Sequence, residues 1–183
     1  MKDAGLGKYS LVCHPQTPAL AVSRVDVSWT LLPSRQLMLR WKVEGAGQLV
    51  APPFAGMGRA DNLWQHSCFE LFLKGSGPAY HEFNFSPSQR WAAYAFRSYR
   101  EGAGHLALDE APTITSAMGT ELFTCTATLT AAVLEGMTHA GIAAVIEEKG
   151  GHKSYWALAH EPGDPDFHRA ECFTITIADS GQA

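Results

Sequence analysis

The stretch LWQHSCFELFLKGSGPAYHEFNFSPSQRWAAYAF, residues 63–96, decides the fold. Three runs of alternating apolar residues are separated by segments rich in Gly, Ser and Pro. Because successive side chains of a strand point to opposite faces, the pattern predicts three strands joined by two tight turns. In the first strand Phe69, Leu71 and Leu73 form a plain core face. The other face carries an aromatic ring, an imidazole and a carboxylate among its members, Trp64, His66, Cys68, Glu70 and Phe72.

Similar alternation continues on both sides of this block. It predicts strands at residues 21–32, 36–44, 113–118, 121–130, 140–148, 153–160 and 172–178, and one helical turn at residues 131–136. About ten short strands without an amphipathic helix are typical of an all-β protein. We therefore expect a two-sheet antiparallel β-sandwich of the Ig-like or jelly-roll type, formed by residues 1–183 as one domain with its core at about residues 20–178.

Composition and charge exclude several classes of protein. The chain has 183 residues, of which 46% are hydrophobic and 17% charged, and its formal net charge is −4. These values indicate an ordinary globular domain and give no reason to expect binding to nucleic acid or to an anionic membrane. Residues 1–18 lack the apolar centre of a secretory signal, and the four cysteines form no CxxC pair. Both observations favour a reducing cytoplasm.

Polar residues of neighbouring strands converge on the face that Glu70 shares. In residues 79–86, Glu82 and Asn84 alternate with the core residues Phe83 and Phe85. Core side chains of both strands lie on one side of the sheet, so Glu70, Glu82 and Asn84 lie together on the other. If Asn84 pairs with Ala92, then Arg90 and Tyr94 join this group.

This combination of groups matches the chemistry of neutral sugars. Sugar hydroxyls both donate and accept hydrogen bonds, carboxylates and amides can bind them in pairs, and the C–H faces of the ring stack on Trp or Tyr. Alternatives remain open at this point. Glu, Arg and Tyr also form ordinary solvated cross-strand pairs, and two carboxylates such as Glu70 and Glu82 occur in glycoside hydrolases. The eight histidines show no HxH or HxxxH spacing, and no nucleotide-binding or nucleophile motif is present.

The motifs DNLWQHSCFELFL (residues 61–73), YHEFNFSP (residues 80–87) and WAAY (residues 91–94) resemble those of bacterial DOMON-like proteins, relatives of type 9 carbohydrate-binding modules. The segment from Asp166 to His168, followed by Cys172 and Phe173, fits the same pattern. The resemblance covers about residues 20–178. It implies a sandwich of two antiparallel sheets that binds a ligand without catalysis, on its concave face or at its end.

The resemblance also implies roles for individual residues. Trp64 corresponds to one half of an aromatic clamp around a terminal sugar, and Glu70, six residues later, to a carboxylate that binds the hydroxyls. The second aromatic residue of the clamp comes from a late loop, where this chain offers Phe167 and His168, or Trp156 on the preceding strand. Calcium near the loops is implied by analogy alone. Other DOMON relatives bind haem through Met and His, for which Met38 or Met57 would be needed here.

The sequence therefore predicts a non-enzymatic module that binds a carbohydrate or a sugar-like small molecule. A haem-binding redox domain and a protein-interaction sandwich are the alternatives. The predicted ligand-binding residues are Trp64, Glu70, Glu82, Asn84, Arg90, Tyr94, Phe167 and His168.

Overall fold

The computed structural model describes residues 6–102 and 104–177 of the chain. It consists of thirteen strands: β1 Leu6–Cys13, β2 Arg24–Leu32, β3 Gln36–Glu44, β4 Gly58–Arg59, β5 Cys68–Lys74, β6 Tyr80–Phe85, β7 Arg90–Phe96, β8 Gly104–His105, β9 Thr113–Met118, β10 Leu122–Thr130, β11 His139–Glu148, β12 His152–Ala157 and β13 Ile175–Thr176. Short 3₁₀ helices occupy Ala46–Gln48, Leu63–Gln65, Ala131–Leu134 and Ala170–Cys172. The prediction of an all-β protein is confirmed.

The strands form one continuous sheet in the order β4-β7-β6-β5-β11-β12-β1-β2-β3-β10-β9, with β13 attached to β11 and β8 to β7. The strands are therefore not clearly divided into the two separate sheets that the sequence predicts. Strand β1 joins the two halves, since residues 6–11 pair with β2 whereas Val12 and Cys13 pair with β12. The short strand β4 pairs with β7 in parallel, so the sheet is mixed rather than purely antiparallel.

The main core lies between the two halves of this curled sheet. Trp41 of β3 contacts Phe69 of β5 and Phe85 of β6, with ring centroids 5.4 and 6.0 Å apart. Phe69 also stacks on Phe123 of β10 at 5.8 Å. All four rings are at most 1% exposed. The alternating apolar residues of β2, β3, β5, β6 and β10 thus face one another, and their burial is the main stabilising contribution.

Strands β5, β6, β7, β11 and β12 are also covered on the side opposite the main core, which we call the second face. A second apolar cluster forms there where the segment before β13 folds back over the sheet. It comprises Phe72, Tyr80, Phe96, Ala143, Val145, Ala157, Phe167, Cys172 and Phe173. Cys68, Glu70 and Phe72 on this face are each at most 3% exposed. The face that the alternating sequence pattern predicts to be exposed to solvent is therefore largely buried.

Several predicted boundaries differ from the observed ones. Trp64 lies in the 3₁₀ helix Leu63–Gln65, not in β5, which begins at Cys68. The closing strand predicted for residues 172–178 is reduced to β13, because Ala170–Cys172 form a 3₁₀ helix; residue 178 lies outside the described residues. Strand β1 has no predicted counterpart, and it places residues 6–13 in the sheet, ahead of the expected start of the core. No helix among the described residues is long and apolar enough to span a membrane.

Candidate functional site

Three polar side chains lie together in the middle of the second face, and we call them the polar floor: Glu70, Glu82 and Asn84. Antiparallel pairing places Glu70 of β5 opposite Asn84 of β6. Glu82 is two residues before Asn84 on the same strand, so it is the diagonal neighbour of Glu70. Their exposures are 3%, 6% and 1%. The sequence prediction that these three residues converge is confirmed, but they converge in a buried position.

Hydrogen bonding within the polar floor is incomplete. The Asn84 Nδ2 donates to Glu82 Oε1 at 2.8 Å. The Asn84 Oδ1 is buried without a partner, and among the described residues the Glu70 carboxylate receives no hydrogen bond from any donor of the chain. A buried polar group that lacks a partner costs about 1–3 kcal/mol, and a charged one costs more. The polar floor is therefore a set of acceptors for which this part of the chain supplies too few donors.

Burial changes the protonation of both carboxyl groups. Desolvation raises the pKa of Glu70 well above its usual value, and the charge of Glu82 adds to this effect, while Arg100 opposes it. Desolvation also raises the pKa of Glu82, although the hydrogen bond from Asn84 and the charge of Arg100 oppose the shift. Two neighbouring carboxylates in a low-dielectric site cannot both ionise easily, so the pair retains a proton to higher pH than a free carboxylate does.

His168 covers the polar floor from the segment that precedes β13. Its ring packs edge-on against Phe72 and Phe96, with centroids 5.4 and 5.1 Å apart. The Tyr80 oxygen accepts the Arg100 backbone N–H at 3.1 Å and lies 2.7 Å from His168 Nδ1. This arrangement assigns the hydroxyl proton of Tyr80 to Nδ1, so that the proton of the neutral imidazole resides on Nε2.

The same nitrogen of His168 points toward the polar floor. His168 Nε2 is 3.7 Å from Glu82 Oε2, which is longer than a hydrogen bond. Desolvation and the charge of Arg100 together lower the pKa of His168 to about 4, against the opposing effect of Asp166. The imidazole is therefore neutral at pH 7 and does not balance the charge of the carboxylates.

Asp166 holds this covering segment in place. Its carboxylate accepts hydrogen bonds from the Arg100 guanidinium at 2.8 Å, from the backbone N–H of His168 at 3.0 Å and from the Tyr99 hydroxyl. Arg169 forms a further ion pair with it at 3.3 Å. Although burial raises the pKa of Asp166, these donors lower it below its usual value. Arg100 is thus bonded to Asp166 and not to Glu70 or Glu82.

The second face remains open on the side of β7. Tyr94, opposite Glu82 in the register, is only partly buried, and its hydroxyl donates to Asp61 at 2.6 Å. The Arg59 guanidinium binds both oxygens of Asp61, at 2.7 and 3.2 Å, and lies 5.4 Å from the centre of the Tyr94 ring. Trp64 is 49% exposed in the 3₁₀ helix that packs against the β5–β7 strands. This flank places two accessible aromatic rings, those of Tyr94 and Trp64, beside the second face.

The remaining predicted site residues have contacts of their own. Arg90 donates to the Ala55 carbonyl oxygen from Nε at 2.9 Å and from Nη2 at 2.6 Å, so it anchors the loop before β4. Phe167 is 8% exposed and packs on Tyr155 at 6.0 Å within the second apolar cluster. Trp156 is 5% exposed and belongs to the main core. The structure thus brings His168 to the polar floor, whereas Phe167 and Trp156 are enclosed in apolar packing.

Sequence reasoning missed four residues around the site: Tyr80, Arg100, Asp61 and Asp166. Only Tyr80 had a usable signal, because it alternates with Glu82 along β6. Arg100 and Asp61 lie in irregular segments where no periodicity relates them to the sheet. Asp166 was noted in the sequence motif, but its role as an acceptor for Arg100 and Arg169 depends on how the chain folds back.

The groups that the resemblance implies are not matched by a suitable set of ligands. Among the described residues, no three His, Cys, Asp or Glu side chains are grouped to hold a metal ion. Met57 is 73% exposed in a loop, and Met38 of β3 lies between Thr30 and Thr128. Neither methionine faces a histidine across the sheet, so these residues do not fit a haem site.

A larger open groove lies elsewhere in the molecule. Its volume is about 780 Å³, and it runs between the β2–β3 turn, the Ala131–Leu134 helix and β13. No residue of the polar floor lines it. A smaller cleft of about 330 Å³ lies beside Arg100 and Asp166, next to the segment that covers the polar floor. The larger groove is therefore separate from the polar floor, in which Asn84 Oδ1 is buried without a partner.

Comparison with known proteins gives support at the level of the fold. No family model and no curated protein matches the sequence. A crystal structure described as a "putative carbohydrate-binding protein" from Bacteroides uniformis is similar, with a TM-score of 0.57. The two chains are 15% identical, and the match covers 92% of this chain and 84% of the other. This similarity shows that the two proteins share their all-β architecture across nearly the whole chain.

Proposed function

We propose that this protein is a non-catalytic module that binds a carbohydrate or a sugar-like small molecule over the polar floor. One observation carries the proposal: Asn84 Oδ1 is buried without a hydrogen-bond partner. It lies beside the Glu70 side chain, which is 3% exposed and to which no described residue donates. Hydroxyl groups of a bound ligand would supply the missing donors. Their hydrogen bonds would offset the cost of burying the acceptors.

The open flank fits the apolar part of such a ligand. Trp64 is half exposed, and Tyr94 is partly exposed beside Glu82. A sugar ring that enters from this side can stack its C–H face on an aromatic ring while its hydroxyls reach the carboxylates. The similarity of fold to the Bacteroides uniformis protein is consistent with this role. Assignment to the DOMON-like relatives of type 9 carbohydrate-binding modules, with a sandwich of their type, rests on the sequence motifs of the three-strand block.

The positions of the carboxylates favour binding over hydrolysis. A glycoside hydrolase places its two carboxyl groups on either side of the scissile bond. Glu70 and Glu82 instead project from adjacent strands of one sheet face, so both approach a ligand from the same side. Among the described residues His168 is the ring that faces them, and its pKa of about 4 leaves it without a proton to give as an imidazolium at pH 7.

Titration of the whole chain with a panel of monosaccharides and disaccharides tests the proposal. Saturation-transfer NMR detects weak binders, and calorimetry measures their dissociation constants. We expect at least one sugar to bind, and we expect Trp64→Ala and Glu70→Gln each to weaken it by about tenfold or more. Met118→Ala is the matched control for Trp64, because Met118 is 48% exposed on β9 in the other half of the sheet. The proposal would be overturned if no sugar bound, or if Trp64→Ala and Glu70→Gln bound the sugar as tightly as the unchanged chain does.

A further inference from the structure

We propose that the ligand of this site carries a primary ammonium group, seated against Glu70, Glu82 and Asn84, as in an amino sugar. The inference rests on the proposed function and narrows its ligand class. It follows from two properties of the polar floor: the balance between its hydrogen-bond donors and acceptors, and the balance of its charges.

Among the described residues, oxygen acceptors outnumber the N–H donors of the polar floor, which are the Asn84 amide and the Nε2–H of His168. The Glu70 carboxylate receives no hydrogen bond from the described residues, and Asn84 Oδ1 is buried without a partner. Glu82 Oε2 has only His168 Nε2 nearby, at 3.7 Å. The Asn84 amide uses one of its two N–H bonds for Glu82 Oε1. An ammonium group has three donors and no acceptor, whereas a hydroxyl has one proton and also needs a donor for itself.

Among the described residues, no positively charged side chain neutralises the carboxylates of Glu70 and Glu82. The charge of Arg100 lowers the pKa of both carboxyl groups, but its guanidinium is bonded to Asp166 at 2.8 Å. His168 is neutral at pH 7, as its buried ring and its bond with Tyr80 require. The neighbour of Glu70 on β11 is Ala143, which has no charge. The titratable groups whose charges act on the pair are Cys68 on β5, Tyr80 on β6, Tyr94 on β7 and Arg100 in the loop after β7. His168 lies 3.7 Å from Glu82, and Asp166 holds Arg100.

The free protein meets this excess of negative charge by holding a proton on the pair. Burial raises the pKa of both carboxyl groups, so one proton is shared between them above the range in which a free carboxyl has lost it. When an ammonium group binds, its positive charge stabilises both carboxylates, and the carboxyl proton is released to solvent. A neutral sugar makes hydrogen bonds to the same oxygens without displacing that proton. Binding of the two kinds of ligand therefore differs in affinity, in pH dependence and in proton release.

Calorimetry with matched sugars tests the inference. Glucosamine, galactosamine and mannosamine are each compared with the neutral parent sugar and with the N-acetyl derivative, at pH 6 and pH 7.5. Each titration is repeated in two buffers of different ionisation enthalpy. We expect one amino sugar to bind about 10- to 100-fold more tightly than its neutral parent at pH 6, where its amine is protonated, and to release protons on binding.

Two variants separate the role of Glu70 from general effects of charge. Glu70→Gln keeps the shape of the side chain and is expected to remove most of the preference for the amine and the proton release. Glu44→Gln is the control, because Glu44 is an exposed carboxylate of β3 that pairs with Lys42 in the other half of the sheet. It is expected to bind the amino sugar as the unchanged chain does. Circular dichroism confirms that both variants are folded.

The outcomes distinguish this inference from the proposed function. If a neutral or N-acetylated sugar binds as tightly as its amino counterpart, the ammonium inference is wrong and the proposed function stands. If no sugar of any kind binds, both are wrong. If calcium chloride alone binds and Glu70→Gln abolishes that binding, the acceptors serve a metal ion and the inference is overturned.

Discussion

The carboxylate of Glu148 is expected to hold the segment before β2 onto the end of β11, and its replacement is a direct test of how this part of the fold is stabilised. Glu148 is fully buried. Its Oε2 accepts the backbone N–H of Leu20 at 2.7 Å, and its Oε1 accepts those of Ala21 at 2.7 Å and Val22 at 3.2 Å. No other described side chain receives three backbone donors in this way. Glu148→Ala removes all three bonds at once.

The size of the effect follows from these contacts. Each backbone N–H left without a partner in the interior costs about 1–3 kcal/mol. Leu20 is 68% exposed whereas Val22 is 6% exposed, so water can reach the first donor more easily than the last. We therefore expect Glu148→Ala to lower the free energy of unfolding by about 3–5 kcal/mol, less than three full penalties. Glu148→Gln keeps one acceptor oxygen and places an amide N–H₂ against a donor, so a smaller loss of about 2 kcal/mol is expected.

Urea unfolding followed by tryptophan fluorescence measures these differences, since the midpoint shifts at constant slope when only stability changes. Glu110→Ala is the control, because Glu110 is exposed in the segment before β9, and a change within about 0.5 kcal/mol is expected for it. A Glu148→Ala variant within about 1 kcal/mol of the unchanged chain would show that the segment is held by other contacts. Equal losses for Glu148→Ala and Glu148→Gln would refute the assignment of the stabilisation to the individual hydrogen bonds.

Three further predictions concern the site. Glu70→Gln is expected to raise the thermal midpoint at pH 8 more than at pH 4.5. Because the pKa of Glu70 is raised in the folded state, the Glu70 side chain favours folding most at a pH below its unfolded-state pKa. This contribution is lost as the pH rises toward the folded-state pKa. Equal shifts at the two pH values would contradict this. His168→Gln is expected to reduce the acid sensitivity of the protein, because a pKa lowered to about 4 gives stability that is present above pH ~6.5 and lost as pH falls through about 4, in total about 3 kcal/mol. Urea unfolding at pH 7 and pH 4 checks it, and an unchanged difference between the two would disprove it. Arg90→Met removes both hydrogen bonds to the Ala55 carbonyl oxygen and is expected to speed hydrogen exchange in residues 51–57 with little change in global stability. Unchanged exchange would show that the backbone bond from Ala55 to Ser88 is sufficient to hold the loop.

Much of the sheet was predictable because its strands have one fully apolar face. The Gln36–Glu44 strand was predicted to the residue, and its partner was predicted three residues too long at the start. Alternation also fixes which face the residues of β6 and β7 occupy, since a shift by one residue would expose Phe83 and Phe85. It does not exclude a shift by two residues, and the observed register is the one that pairs Asn84 with Ala92 and Glu82 with Tyr94. Strand β1 was missed because only Tyr9 and Leu11 of its residues show the pattern on one face, and glycine and lysine separate them from the chain start.

The character of the second face was not predictable in the same way. Alternation assigns Glu70 to the side opposite the main core, but it cannot show whether that side meets water or another segment of the chain. The segment that covers it has no periodicity, because its contacts depend on single residues such as Asp166 and Phe173. Trp64 was predicted to lie on the first strand of the three-strand block, but it lies in the 3₁₀ helix Leu63–Gln65. A 3₁₀ turn and a strand both place one aromatic residue near the start of β5, so the sequence pattern does not distinguish them.

Because the polar floor is buried, its carboxyl groups have a free-energy cost that they would not have on a solvated sheet. On a solvated sheet, Glu70 and Glu82 would cost nothing and would need no explanation. In the buried position, Glu70 lowers stability at neutral pH, and a glutamine or an apolar residue of similar size would avoid that cost. Folding therefore does not account for this carboxylate, whereas the ligand that we propose would do so by supplying donors. Glu70→Gln should therefore make the protein more stable at pH 8 and should weaken its binding to the proposed ligand. A variant that lost stability and kept its binding would contradict both.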